Sequence, residues 1–215
     1  MNLYAEYLAA AFPEPRRLLG VDLRPFALGH LLILRWLGNA FVTALVPRID
    51  DLVTGVWACS LSYREAVQAL RRGRIDLVVH GRWRSKRREV ALEDAFRIWR
   101  DELGQFDVAE KVDAFSEYIR SGCNVPMVAA RQTHSAADSG SGPPDVQSIK
   151  VALMSKLHLS EDDVMDRPWS MCLWDVYTLA AQEGLLTFMD RDEVDRAQST
   201  ADRLQAAIDE GRVKL

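Results

Sequence analysis

The stretch from Leu23 to Val46 is the most apolar part of this 215-residue chain, and no other stretch limits the fold as strongly. Leu28, Leu31, Leu32, Trp36 and Phe41 recur at roughly helical intervals, while Ile33, Leu34 and Leu37 fill the other faces. A helix that is apolar on most sides is buried in a core or lies in a membrane. Pro25 suits a first helical turn, where its fixed φ fits and its missing N–H would be unpaired anyway. Asp22, just upstream, offers a carboxylate to the free amides. His30, Arg35 and Asn39 interrupt the run, and charge is costly inside a bilayer. Gly29 and Gly38 further weaken an isolated helix. The expectation is a long, buried central helix with no membrane span.

The rest of the chain supplies amphipathic helices to pack around it. Residues 2–12 place Leu3, Tyr7, Leu8 and Phe12 on one face, and Pro13 and Pro15 stop that helix. Pro47 ends the central helix, and Asp50 and Asp51 favour the start of the next. Leu52, Val53, Val56, Trp57 and Ser60 mark its inner side. Ser62 and Glu65 form a capping box ahead of Ala66, Val67 and Leu70, with Gly73 as the C-terminal stop. Ile75 to Val79 is rich in β-branched residues, but with no evident partner strand it reads as helix or irregular structure. Glu89 to Leu103 predicts a helix closed by Gly104. Asp107 opens another, with Val108, Val112, Phe115 and Ile119 on its face and Gly122 at its end. The short connection predicts an antiparallel helical hairpin.

Residues 131–145 are small, polar and rich in Pro, Gly and Ser, which predicts a flexible linker. The expected fold class is therefore all-α. A multi-helix domain over residues 1–130 surrounds the central helix, and a small helical domain follows over residues 146–215. In the latter, Ile149, Leu153 and Leu157 recur at four-residue spacing, and Ser160 caps a short turn. Asp166 and Pro168 open a helix bearing Trp169, Cys172, Leu173, Val176 and Ala180, with Gly184 as its stop. Asp190 caps a last helix whose narrow stripe is Val194, Ala197, Ala201, Leu204 and Ile208. That near-heptad stripe suits a partner helix as well as the chain's own core.

Catalytic, metal and cofactor motifs do not emerge. Hydrophobic residues at 48% and charged residues at 27% match an ordinary globular protein. Cys59, Cys123 and Cys172 are odd in number and form no CxxC pair, which argues against zinc and against a disulfide framework. Met1 is followed by Asn-Leu-Tyr-Ala-Glu without a basic run, so the expected setting is the reducing cytoplasm. His30, His80, His134 and His158 lack metal-ligand spacing. The run Asp190 to Asp195 lacks the glycine of a calcium loop and reads as an acidic helix start. No GxSxG, Walker or GxGxxG pattern is present. The expected catalytic, cofactor and metal residues are none, and the expected protein is not an enzyme.

Charge is distributed unevenly. Net charge is −4, which makes no global case for nucleic acid. Yet Arg71, Arg72, Arg74, Arg82, Arg84, Lys86, Arg87 and Arg88 face the single Asp76 over residues 71–88, a local charge of +7, with Trp83 among them. Such a segment can grip phosphates and stack a base, or meet an acidic protein surface. Residues 160–215 carry thirteen acids and six bases, a local charge of −7, so the two regions attract, within one chain or between copies.

Three stretches resemble recurring segments of small helical proteins from phage and prophage tail gene clusters. They are Leu23-Arg-Pro-Phe-Ala-Leu-Gly-His-Leu-Leu-Ile-Leu-Arg-Trp-Leu-Gly-Asn-Ala-Phe41, Asp51-Leu-Val-Thr-Gly-Val-Trp-Ala-Cys-Ser60 and Asp163-Val-Met-Asp-Arg-Pro-Trp-Ser-Met-Cys-Leu-Trp-Asp-Val-Tyr-Thr-Leu-Ala-Ala-Gln-Glu-Gly184. Some of those proteins are thought to be tail assembly chaperones. The resemblance implies a non-enzymatic morphogenesis factor in the host cytoplasm, binding another tail protein or copies of itself. It carries over no active residue. The alternative expectation is a nucleic-acid-associated helical protein using Arg71 to Arg88.

Overall fold

The computed structural model describes residues 3–43, 45–80, 85–103, 108–130, 145–189 and 191–210. Ten α-helices and three two-stranded antiparallel pairs are formed among them. Helix α1 (Leu3–Ala11) leads into the hairpin β1 (Arg16–Leu18) and β2 (Val21–Leu23). Helices α2 (Leu28–Trp36), α3 (Ile49–Ser60) and α4 (Tyr63–Arg72) follow. Then come strands β3 (Arg74–His80) and β4 (Ser85–Ala91), and helices α5 (Leu92–Leu103) and α6 (Val108–Gly122). Strand β5 (Val128–Ala130), helices α7 (Asp145–Lys156), α8 (Glu161–Asp166) and α9 (Trp169–Gln182), strand β6 (Leu186–Phe188) and helix α10 (Arg191–Asp209) complete the order. The fold is predominantly helical, and no helix among the described residues is long and apolar enough to cross a membrane.

The apolar stretch is central but is not one long helix. Its helical part is α2, which buries Leu28, Gly29, His30, Leu31, Ile33 and Leu34. Pro25 precedes the helix rather than starting it, and Asp22 lies on β2 opposite Arg17 instead of capping. The stop is chemical. Gly38 takes a left-handed φ of +66°, where a side chain is strained. The Gly38 and Asn39 amides donate to the Arg35 and Leu34 carbonyls at 3.1 and 2.9 Å, closing a Schellman turn. The buried Asn39 side chain then accepts from the Phe41 amide and donates to the Asp51 carbonyl at 2.7 Å. This pins the short 3-10 turn Ala40–Val42 to the start of α3.

Tight approach explains how a helix as short as α2 organises the rest. A Cβ added at Gly29 would stand 2.7 Å from the Tyr63 side chain and 2.8 Å from the Met165 carbonyl, so α4 and α8 lie directly on α2 there. On the other side, α3 buries Leu52, Val53, Val56, Trp57, Ala58 and Cys59. Phe115 on α6 and Phe96 on α5 meet this layer edge-to-face, against Phe41 at 4.8 Å and Trp57 at 5.4 Å.

The C-terminal helices do not build a separate core. Val146, Leu153, Val164, Met165 and Cys172 belong to the same buried cluster as Leu28, Leu34, Trp57 and Phe115. The joint is made by backbone: Leu28 N–H donates to the Arg167 carbonyl at 3.2 Å, and Trp169 N–H to the Phe26 carbonyl at 2.8 Å. Strand β5, from before the expected linker, pairs with β6 from after it. Residues 131–144 of that linker lie outside the described residues, and its last residue, Asp145, is the first of α7.

Two further expectations change. Ile75 to Val79 is strand, because its partner is the arginine-rich Lys86–Val90, in register Ile75↔Val90 to Val79↔Lys86. Charged residues had hidden that second strand, and α5 consequently begins at Leu92 rather than Glu89. Helix α1 docks through Ala10 and through Tyr7 against Trp174 at 5.6 Å, leaving Phe12 exposed. The expected caps Ser62 and Ser160 are formed, and Gly73 and Gly184 hold the left-handed positions assigned to them. Gly104, Asp107 and Asp190 lie outside the described residues.

Because Gly29 has tightly packed neighbours on two elements, Gly29→Ala should lower unfolding free energy by about 1–3 kcal/mol, the usual cost of overpacking. Urea denaturation of the two chains measures this, and an unchanged midpoint would contradict the packing described.

Candidate functional site

The chemistry-bearing side chains inside the core are held silent. His30 is buried, and both ring nitrogens are used: Nδ1 accepts from the Ala27 amide at 3.1 Å, and Nε2 lies 2.9 Å from the Leu61 carbonyl. An accepting Nδ1 fixes the tautomer, so Nε2–H donates. Burial lowers its pKa, against the opposing pull of the Leu61 carbonyl and of Asp166. Burial pushes the Cys59 and Cys172 thiols up to about 12, so neither is a thiolate near neutrality. Burial raises the Tyr118 phenol as well, and its hydroxyl donates to the Arg24 carbonyl at 2.7 Å. Among the described residues, no group of three or more His, Cys, Asp or Glu is placed to hold a metal.

The surface offers more. Helices α2 and α4 touch at Gly29 and Tyr63 and frame a groove of about 560 Å³. Leu32, Ile33 and Trp36 form one wall, and Tyr63, Val67, Leu70 and Arg71 form the other. Trp36 is 72% exposed, an unusual position for the largest apolar side chain. Helix α4 is held firmly in place. Ser62 and Glu65 cap its start reciprocally, Tyr63 N–H donates to Asp166 of α8 at 2.7 Å, and His30 grips the Leu61 carbonyl just before it. Hydrogen bonds from Ser62 hold the Glu65 carboxyl below its usual range.

A second cavity of about 550 Å³ lies between the end of α1, β1 and α6. It is more polar, and two of its guanidiniums are matched by carboxylates, Arg16 by Glu14 and Arg120 by Glu117.

The residues singled out from sequence are only partly gathered. Arg71 lines the groove, and Arg72 and Arg74 are exposed just beyond it. Lys86, Arg87 and Arg88 lie on β4 in register with Val79, Val78 and Leu77. Arg82, Trp83 and Arg84 lie outside the described residues. On α10, Ala201 and Leu204 are exposed and Val194 and Ile208 half-buried, while the Ala197 side chain is outside the description. Trp36 was missed because helical periodicity assigned it to the buried side. Its signal is position: it is the last residue of α2, two residues before Gly38, where the chain turns away.

In comparisons with known proteins, no family model, no curated protein and no solved structure matches this chain.

The His30 arrangement has a pH signature. Its folded pKa lies below the ordinary 6.5, so the unfolded chain binds the proton more readily. Stability is therefore complete above 6.5 and falls with acidification below it, by about 1.4 kcal/mol per pH unit at most. Thermal unfolding between about pH 7.5 and about pH 5.5 should show this loss, and His30→Gln should lack it. Equal acid sensitivity in both chains would contradict a neutral buried imidazole.

Proposed function

We propose that this chain is a non-enzymatic assembly factor that binds an apolar segment of another protein in the α2–α4 groove. Within that reading it serves phage-type tail morphogenesis as a tail assembly chaperone or accessory factor, in the host cytoplasm. The single observation that carries it is the exposed Trp36 beside an apolar groove whose walls are rigidly anchored. Exposed tryptophan next to a preformed apolar cleft is the usual anchor of a protein contact. Covering the apolar segment of a tail protein until it assembles would suppress its aggregation. The tail context rests on the three resembling stretches, which supply α2, most of α3, and α8 with α9 around one core.

Co-expression with the tail-tube or tape-measure protein encoded nearby tests the reading. The partner should co-purify and gain solubility. Trp36→Asp should weaken that complex by about 2 kcal/mol or more, roughly thirty-fold, with little change in thermal stability. No co-purification, or a complex indifferent to Trp36→Asp, would contradict it.

The exposed Arg71, Arg72 and Arg74 favour a second reading, nucleic-acid association through residues 71–88. It predicts binding that weakens steeply with salt and is abolished by charge reversal at Arg84, Arg87 and Arg88. Absence of any shift of duplex or single-stranded probes at low salt would end that reading.

A further inference from the structure

We infer that the segment the α2–α4 groove accepts is an amphipathic helix of the partner protein with acidic residues beside its apolar stripe, and that Arg71 reads those acids. This rests on the groove being a protein-docking surface, as proposed above, and names the conformation and charge of what docks there.

Backbone chemistry selects a helix. Both walls of the groove are helices, whose amides and carbonyls are spent on their own bonds, so no strand edge is on offer for pairing. An extended segment laid on Leu32, Ile33, Val67 and Leu70 would bury its own N–H and C=O groups unpaired against apolar side chains. A helix satisfies its backbone internally and presents side chains alone. Length agrees with this. The groove runs from the contact of Gly29 with Tyr63 to Trp36 and Arg71. From Tyr63 to Arg71, α4 rises about 12 Å, enough to seat side chains at i, i+4 and i+7 of a docked helix.

Charge sets what flanks the stripe. On α4, Tyr63, Val67 and Leu70 form the apolar side, and Arg64 and Arg71, two turns apart, stand along its outer edge. Arg71 is exposed, lines the groove and has no ion-pair partner among the described residues. Arg64 is engaged by Asp162 at 3.6 Å, a largely exposed pair that leaves guanidinium donors available. Glu65 lies on the far side of α4 and is committed to the Ser62 cap. Helix α2 contributes no carboxylate, and Asp166 is occupied by the Tyr63 amide. The two walls therefore bring guanidinium and no free carboxylate to the rim. A docked helix with Asp or Glu beside its stripe gains charge-assisted bonds there, and one with Lys or Arg is repelled. A nucleic-acid backbone meets the same arginines but offers its phosphates nothing to exchange with Leu32, Ile33, Val67 and Leu70.

Fluorescence anisotropy of the full chain with labelled peptides of about sixteen residues, long enough to hold a helix, tests this. The first peptide carries leucines at i, i+4 and i+7 with glutamates beside them. The second has lysines in place of those glutamates, and the third is the first with a proline inside the stripe. The glutamate peptide should bind at least about tenfold tighter than either of the others. Arg71→Glu should reverse the preference between glutamate and lysine, and Arg71→Met should erase it. Position 71 is exposed, so both variants should keep their helical circular dichroism. Equal binding of the glutamate and lysine peptides, indifference to proline, or a preference that survives Arg71→Glu would overturn the inference. So would failure of the glutamate peptide to bind at high micromolar concentration, or an oligonucleotide held through Arg71 in its place. Capture of the tail protein separates the two claims. A chain that binds the glutamate peptide but captures no tail protein sinks the functional reading alone. Capture that depends on Trp36 but is unchanged by Arg71→Glu sinks the acidic helix alone.

Discussion

One buried imidazole ties the start of the central helix to the element that follows it in space. His30 accepts from Ala27 at the head of α2 and donates to Leu61 at the entrance to α4. Removing either bond would strand a buried polar group, at a cost of roughly 1–3 kcal/mol. Gly29, one residue earlier, permits the close approach that brings Tyr63 and Met165 onto α2. The angle of α4 to α2 follows from these two adjacent residues, and so does the groove between them. Asp166 of α8 holds the same corner from the other side through the Tyr63 amide. His30, which the sequence reads as lacking metal-ligand spacing, is thus a structural clamp, and burial keeps it neutral.

The same corner explains why the molecule can present an apolar surface without collapsing onto it. The helices on either side are anchored by caps, by buried hydrogen bonds and by the close approach of Tyr63 to Gly29. Trp36 consequently stays exposed at the end of α2, where the Gly38 turn directs the chain away. A cleft of this kind needs little reorganisation to bind, and that preserves affinity otherwise lost to ordering side chains. In the proposed complex, the positively charged edge at Arg71 would give direction to an otherwise nonspecific apolar contact.

Much of this was legible in the residues, for reasons that can be named. Local signals with a single physical meaning read correctly: the Ser62–Glu65 box, Ser160, Gly73 and Gly184. The predominantly helical class followed from repeated apolar faces. Signals that depend on distant partners did not read. Ile75 to Val79 looked unpaired because its partner strand is arginine-rich, and charge masks alternation. Gly38 and Asn39 counted as interruptions of a long helix, although together they form its stop. Val146 and Leu153 looked like the start of a second core because nothing local says that they join the buried cluster of Leu28, Leu34 and Trp57. Of the groove, the α4 wall was visible in Val67 and Leu70. Trp36 was not, since periodicity gives a face but not whether a neighbour covers it.

The central claim is that position 36 meets the partner. Replacing Trp36 with a photoreactive aromatic amino acid, and irradiating the chain co-expressed with a candidate tail protein as the proposed partner, tests it directly. The account predicts a covalent adduct between position 36 and an apolar segment of that protein. Adducts formed from position 87 on the β3–β4 hairpin, with none from position 36, would contradict it.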